Sequence, residues 1–485
     1  MDGARDTGTG GERPRGRGPG GDAGGGSGGP GGGGGVGGGG VGGGVTLGVE
    51  EEFLLVDAVS GECVPRAERV LEAAGEHPWR GTGGAFHPEL LTSQVEAATG
   101  VCGDLAALRE QLRAGRARLA AAAHAAGARL VSAGTPVLDG PPPPPARGDR
   151  FAAVTAAYGE VVEDYQACGC HVHVGVPDRE TAVAVVNHLR PWLATLVALA
   201  ANSAFDHGRA GRFACRRVVA MSRFPGSGAP PYSASAAEHD RRVAALVESG
   251  ALVDEAMTFW LARPSPRYPT VEVRAADAAA TADDAVLHAA LVRGLVGAAL
   301  RDLAAGREAP PVDAQVCAAA LWNAARYGMD GPALDPFTRR AAPPWRLVED
   351  LLARCRPALA GTGDLDTVSA LLEGVRRAGT GSDRQRRAAR RGGPSAVVET
   401  LARQTVSGGL AAWPGERPDD RPDGLPGELR AGPGDGAGDG AVSAGGVPPG
   451  GPGRAAGAAP GEEPGVWDAR ERVPQPDTHG TTEDT

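Results

Sequence analysis

Apolar and polar positions along this 485-residue chain follow two periods, and the switches between them mark its elements. Strict alternation over Cys168–Val176 (CGCHVHVGV) predicts a strand with His171 and His173 on one face and Cys170, Val172 and Val174 on the other. Thr46–Asp57 (TLGVEEEFLLVD) predicts a second, with Glu50 and Glu52 on one face and Val49, Glu51 and Phe53 on the other. A third closes Arg263–Asp277 (RPSPRYPTVEVRAAD), where Glu272 and Arg274 share one face and Val271 and Val273 the other. Ala128–Val137 also reads as a strand. Helical spacing is clearest over Asp104–Gly127: Leu105, Leu108, Leu112 and Leu119 recur, Asp104 can cap the start and Gly127 stands at the stop. Further helices are predicted over Arg66–Ala74, Phe151–Asp164, Ala234–Ser249, Asp283–Ala304, Pro311–Tyr327, Pro344–Cys355, Asp364–Ala378 and Asp383–Gln404. Another covers Thr181–Ala201, kinked or split at Pro191. Phe86–Cys102 (FHPELLTSQVEAATGVC) is ambiguous. Its Glu89 and Glu96, seven apart, would share one side of a helix but lie on opposite sides of a regular strand.

Composition removes both ends from the core. Residues 1–44 are more than half glycine, and from about Ser407 to Thr485 the chain is Gly, Pro, Ala and acid. Such segments bury too little apolar surface to offset the entropy of ordering, so 1–44 and 408–485 are expected to be disordered tails around a domain at 45–407. A net charge of −10 argues against nucleic-acid binding. The basic run Arg384–Arg391 reads as a solvated helix face. No apolar leader opens the chain. Pro191–Ala201 is too short to span a bilayer, and Val286–Leu300 is interrupted by His288 and Arg293. Seven scattered cysteines fit a reduced compartment. A cytoplasmic protein with no membrane partner is the expectation.

Chemistry enters through the acids in apolar strands. An ionised carboxylate is costly to desolvate unless a cation neutralises it, and oxygen-rich pairs suit Mg²⁺ or Mn²⁺, often beside a phosphate-bearing substrate. A solvated edge strand is the plain alternative for Glu50 and Glu52. Two cysteines and two histidines in CGCHVHVGV do not make a zinc site, because tetrahedral ligands cannot come from opposite faces of one strand. The histidine pair on one face can serve a metal and a phosphate, or can simply be core. Glu272 and Arg274 can pair with each other or divide the work beside an anionic substrate. The arginines of the loop Asn202–Pro231, Arg216 among them, can clamp carboxylates or phosphates or stand at the surface.

The order E-x-E, two acids seven apart, G-x-H-x-H and E-x-R resembles the glutamine synthetase and glutamate–cysteine ligase superfamily. The wording GVEEE, HPELLTSQVE, CGCHVHVGV, NSAF and PSPRYPTVEVRAAD is closer still to the bacterial carboxylate–amine ligases of the YbdK type, often labelled glutamate–cysteine ligase type 2. The resemblance runs from about Val45 to about Thr405. It implies an α+β fold: a curved, largely antiparallel sheet forming an active-site funnel, with helices packed outside. It implies Glu52, Glu89 and Glu96 around one Mg²⁺ and Glu50, His171 and Glu272 around another. His173 would contact the nucleotide phosphates, Arg274 the substrate carboxylate or the transferred phosphoryl group, and Arg216 matches a family arginine. The implied activity is ATP-dependent amide formation between small-molecule substrates through an acyl phosphate, by default from glutamate and cysteine, in a possible homo-oligomer. A guanidino-kinase-like phosphotransferase and a non-catalytic metal- or nucleotide-binding protein are the competing readings. The loop Asp206–Met221 departs from the family pattern: Asp206 follows NSAF, FACRR replaces a tyrosine-rich run, and a family tryptophan falls near Met221. Substrate choice is expected there.

Overall fold

The computed structural model describes residues 45–75 and 83–407. The two predicted tails, 1–44 and 408–485, lie outside those residues.

The described residues open with β1 (Leu47–Asp57), α1 (Ala67–Ala74), and the antiparallel pair β2 (Ala85–Pro88) and β3 (Gln94–Ala98). The ambiguous segment is therefore a hairpin, with Glu89 in its turn and Glu96 on β3. Helix α2 (Leu105–Ala125) starts where Asp104 accepts a hydrogen bond from the Ala107 N–H at 2.8 Å. Strand β4 is only Ala128–Val131. The predicted extension to Val137 fails because the backbone leaves the ladder: the Ser132 N–H donates to Thr405 Oγ1 at 2.9 Å and the Gly134 N–H to the Asn202 carbonyl at 3.0 Å. Then follow α3 (Asp149–Tyr158), α4 (Glu160–Glu163) and β5 (Gly169–Gly175). The long apolar helix splits at Pro191 into α5 (Arg179–Leu189), a 3₁₀ turn and α6 (Leu193–Leu199).

The predicted loop after α6 carries its own structure: the two-residue strands β6 (Phe205–Asp206) and β7 (Arg209–Ala210), then α7 (Arg216–Met221). Helix α8 (Ala236–Glu248) precedes β8 (Ala262–Pro264) and β9 (Thr270–Asp277). The described residues close with α9 (Ala282–Ala304), α10 (Ala314–Tyr327), the hairpin β10 (Ala333–Asp335) and β11 (Arg340–Ala342), α11 (Pro344–Thr362), α12 (Leu365–Ala378) and α13 (Gly381–Val406). Helix α11 outruns its prediction through Pro357, because Leu351, Cys355 and Leu359 continue one buried stripe to a left-handed Gly363. Helix α13 kinks at Gly392 and Gly393. Its basic run is not wholly solvated: Arg384 is buried, 2.7 Å from Asp284.

One antiparallel sheet organises the molecule, in the order β2-β3-β1-β5-β9-β8, with β4 also paired to β1. Leu54 pairs with both Gln94 of β3 and Val131 of β4, so β4 takes over the β5 side of β1 where β5 ends. The outer face is apolar. Val49, Val172, Val174, Val271 and Val273 pack against α5, α6 and α9 in the main core, while Phe53, Val95 and Leu130 pack with α1 and α2. Glu51 also points outward, and Arg116 of α2 meets it with a two-point ion pair. The inner face carries the polar side chains.

Candidate active site

Register brings the acids and histidines together on the inner face. Glu52 of β1 lies directly opposite Glu96 of β3, Glu50 directly opposite His171 of β5, and His173 directly opposite Glu272 of β9. Like charges facing each other across a strand pair destabilise a sheet. The sequence nonetheless places two carboxylates in that relation, which marks a built site. Side chains from β1, β2, β3, β5, β8 and β9 all line one cavity of about 460 Å³, as only a curved sheet allows. Tyr165, Met257, Phe259 and Tyr268 add an apolar and aromatic rim.

Candidate ligand atoms gather in two triads. Glu52, Glu89 and Glu96 offer atoms within 4.8 Å of one another, and so do Glu50, His173 and Glu272. The second triad differs from the set implied by the resemblance, which used His171. That ring stands between the triads, Nδ1 3.5 Å from Glu50 and Nε2 3.5 Å from Glu52. It also faces two guanidinium groups, Arg274 Nη1 at 3.3 Å from Nδ1 and Arg217 Nη2 at 3.3 Å from Nε2. The reason is the register: His173, not His171, sits across from Glu272.

The electrostatics follow from burial and neighbours. Burial, then the charge of Glu52, pushes Glu89 up to about 7, and burial with three nearby carboxylates pushes Glu96 well above the usual range. Burial also raises Glu52 despite the opposing charge of Arg217. Glu50 goes the other way: burial would raise its pKa, but the flanking histidines hold it far below the ordinary value. Glu272 is likewise lowered against its burial, by Arg263 and Arg274. Burial and Arg274 depress His171 to about 4, so its ring is neutral. His173 is raised against its burial by Glu50 and Glu272; its Nε2 lies 3.4 Å from Glu50 Oε1 and its Nδ1 2.9 Å from Thr270 Oγ1.

Of the arginines that line the cavity, Arg217, Arg263 and Arg274 reach its acids and histidines. Arg274 pairs with Glu272, as the shared strand face predicts. Arg263 of β8, directly opposite Glu272, grips the same carboxylate, Nε to Oε2 at 2.8 Å and Nη2 to Oε1 at 3.1 Å; sequence reasoning passed it over because a three-residue strand shows no alternation to read. Arg216 does not line the cavity. It reaches Asp206 at 3.5 Å, while its neighbour Arg217 lines the cavity and is 2% exposed. Both stand on α7, where successive side chains point about 100° apart, so only one of the two can face inward. Asp206 and Met221, expected to shape substrate choice, also stand outside the cavity. Asp206 is tied to His207 and Arg216, and Met221 is core.

The sequence profile of glutamate–cysteine ligase family 2 matches residues 46–409. The chain belongs to this family. A Saccharopolyspora erythraea relative, provisionally named glutamate–cysteine ligase 2-2, is 56% identical over 364 residues, spanning 75% of this chain and 93% of the relative. A Salinispora arenicola relative, provisionally named glutamate–cysteine ligase 2, is 46% identical over 368 residues, spanning 74% and 95%. Among solved structures, the Francisella tularensis glutamate–cysteine ligase in complex with AMP superposes with a TM-score of 0.56 at 13% identity, covering 76% of this chain and 90% of that one. A bifunctional glutathione synthetase from Pasteurella multocida gives 0.54 at 14% identity, covering 76% and 53%. At such identities the structural likeness carries the fold alone, a curved antiparallel sheet with helices outside. Family membership makes the chain a ligase. Within the described residues one stretch, Arg179–Leu199, is long and apolar enough to cross a membrane, and its apolar window is 83% buried inside the fold.

Proposed function

We propose that this family member is an ATP-dependent carboxylate–amine ligase that makes an amide through an acyl phosphate, with glutamate and cysteine as the default substrates. The observation that carries this reading is the pair of ligand triads in one cavity, flanked by Arg217, Arg263 and Arg274. The donor set fits divalent ions. Glu52 and Glu96 face each other across β1 and β3, Glu89 and Glu96 hold protons above the usual carboxylate range, and His173 Nε2 stands 3.4 Å from Glu50 inside the second triad. An all-oxygen triad and a two-oxygen, one-nitrogen triad suit Mg²⁺ or Mn²⁺. In this reading Glu52, Glu89 and Glu96 hold one ion and Glu50, His173 and Glu272 the other. His173 takes the ligand role, and His171 becomes a neutral spacer against Arg217 and Arg274.

When bound, the ions neutralise the phosphate charge of ATP. The chain's own work is positioning and electrostatics. A free carboxylate is a poor acyl donor because its leaving group would be oxide. Attack of its oxygen on the terminal phosphorus releases ADP and leaves an acyl phosphate. The amine nitrogen then bonds to the acyl carbon, phosphate departs with its bonding electrons, and the nitrogen loses a proton. Arg274 and Arg217 offer N–H donors to the anionic groups in both steps. Arg263 holds Glu272 so that its oxygens stay aimed at the ligand site.

Seven buried free thiols suit a reducing compartment, and we place the enzyme in the cytoplasm. The deciding experiment measures ADP release and amide formation with glutamate alone, glutamate plus cysteine, and a panel of other acids and amines. Amide formation matched to ADP supports the reading. ADP release that depends on a guanidine and yields no amide overturns it.

A further inference from the structure

Glu272 and Asp277 are five residues apart, so a regular strand would send them to opposite faces of the sheet. A bulge prevents this. Cys170 pairs with Ala276 and Val172 with Val273, so Arg274 and Ala275 together oppose His171. Asp277 then pairs with Gly169, and Glu272 with His173. Residues 169, 171 and 173 share a face, and Asp277 is therefore on the cavity side of the sheet, beneath the floor of the site.

Asp277 is 1% exposed, and no cation pairs with it among the described ion pairs. Its Oδ2 accepts the Asn202 N–H and the Ser203 O–H, each at 2.7 Å, and its Oδ1 accepts the Cys215 S–H at 3.0 Å. Ser203 Oγ in turn accepts the backbone N–H of Arg216 at 2.8 Å and of Arg217 at 3.2 Å. These are the first N–H groups of α7, a six-residue helix too short to fix a long side chain by itself. The Arg217 guanidinium fills the space over Gly169 that a side chain would need: a Cβ there would lie 2.2 Å from Nη2 and 2.7 Å from Cζ. Nη1 donates to the Arg274 carbonyl at 3.1 Å. A chain of polar contacts thus runs from a buried carboxylate to a guanidinium that faces the cavity.

We propose that Ser203 and Asp277 are positioning residues that aim Arg217 at the anionic group of the reaction, the substrate carboxylate or the transferred phosphoryl group. Asp277 orients the Ser203 hydroxyl so that both oxygen lone pairs face α7. Ser203 fixes the start of that helix, and the helix sets the depth of the guanidinium over Gly169. The inference rests on the ligase reading for what Arg217 touches, but not for the coupling between the residues.

The test compares the parent chain with Ser203→Cys, Asp277→Asn, Arg217→Ala and the Ser203→Cys/Arg217→Ala double variant. Cysteine keeps the side-chain shape at a slightly larger size and weakens the hydrogen bonds, and melting temperatures check that each variant folds; Asp277→Asn, of equal size, is a second perturbation of the same relay. Two readouts are taken: kcat/KM for ADP release, and affinities for Mg-ATP and for glutamate by calorimetry, which need no turnover. Ser203→Cys and Asp277→Asn are expected to lower kcat/KM by about tenfold or more, as loss of an orienting partner typically does. The double variant should be no worse than Arg217→Ala, in rate and in whichever affinity Arg217→Ala alters. Losses that multiply in the double variant overturn the proposal. So does a Ser203→Cys protein with a lowered melting temperature but unchanged kcat/KM and affinities, or an Arg217→Ala protein that matches the parent. A parent chain that binds Mg-ATP but releases no ADP refutes the ligase reading alone, and the calorimetric comparison still decides the coupling.

Discussion

Arg116 grips Glu51 at two points, Nε to Oε2 at 2.9 Å and Nη2 to Oε1 at 2.6 Å, and both side chains are almost wholly sealed from solvent. The same guanidinium donates to the carbonyl of Ala279 at 2.7 Å and of Thr405 at 3.2 Å, and it stacks over Phe53. It therefore ties the middle of β1 to the entry of α9 and the end of α13, on the face opposite the active site. Removing one partner of a buried pair leaves an uncompensated charge, at a cost of about 3–5 kcal/mol. Arg116→Met should lower unfolding stability in denaturant titration by that order, and Glu51→Leu in the same chain should recover much of the loss.

Without a cation, the ionised forms of Glu52, Glu89 and Glu96 are buried together and repel one another, which is why Glu89 and Glu96 hold their protons. Glu52→Gln removes one charge at constant volume, so the metal-free variant should melt at or above the parent temperature. Saturating Mg²⁺ should raise the parent's stability by about 2.7 kcal/mol at a hundred times its dissociation constant. That shift should shrink sharply in the variant, together with ATP turnover. An undiminished Mg²⁺ shift in Glu52→Gln would remove the triad from the metal site.

Protons compete with the ion at the same triad. Glu89, raised to about 7, and Glu96, raised further, must lose their protons before they ligate a cation. Mg²⁺ affinity measured by calorimetry should therefore rise from pH 6 to pH 8, with protons released on binding. Uptake of protons, or no pH dependence, would contradict the assignment.

His288 of α9 is buried, its Nε2 lacks a hydrogen-bond partner, and burial with the charge of Arg217 lowers its pKa to about 4. The unfolded chain takes up this proton near pH 6.5, whereas the folded chain resists until about 4. Its contribution is fully present above 6.5 and is lost as pH falls toward 4. A difference of this size costs about 2 kcal/mol between pH 7 and pH 5. The stability difference between His288→Leu and the parent should shift in favour of the variant by that amount over this interval, read from urea titrations.

Substrate preference should follow the cavity rim rather than the loop that departs from the family. Phe259 is half-buried at the rim, stacked on Phe224 with ring centroids 4.5 Å apart. Phe259→Ala should change the ratio of kcat/KM among amines or acids by about 1–3 kcal/mol. Met221→Trp, inside the core, should lower stability and leave that ratio alone. The opposite pattern would return specificity to the loop.

The sequence by itself determined the polar faces of three strands. Alternation sets which residues share a side, and a carboxylate in an apolar strand demands a partner, so Glu50 with Glu52, His171 with His173, and Glu272 with Arg274 were legible together. The order of the motifs carried the family and the curved sheet. What only tertiary structure decided was the pairing between strands. Register set His173 against Glu272, and the hairpin between β2 and β3 put Glu89 beside Glu96, because register depends on turns and bulges that a single strand does not encode. The same holds for partners distant in the chain. Alternation put Glu51 on the apolar face of β1, but only the fold supplies its cation, Arg116 of α2, across 65 residues. Arg216 and Arg217 are adjacent and chemically identical. Only the rotation of α7, fixed by Ser203 and Asp277 from other elements, selects which of them reaches the cavity.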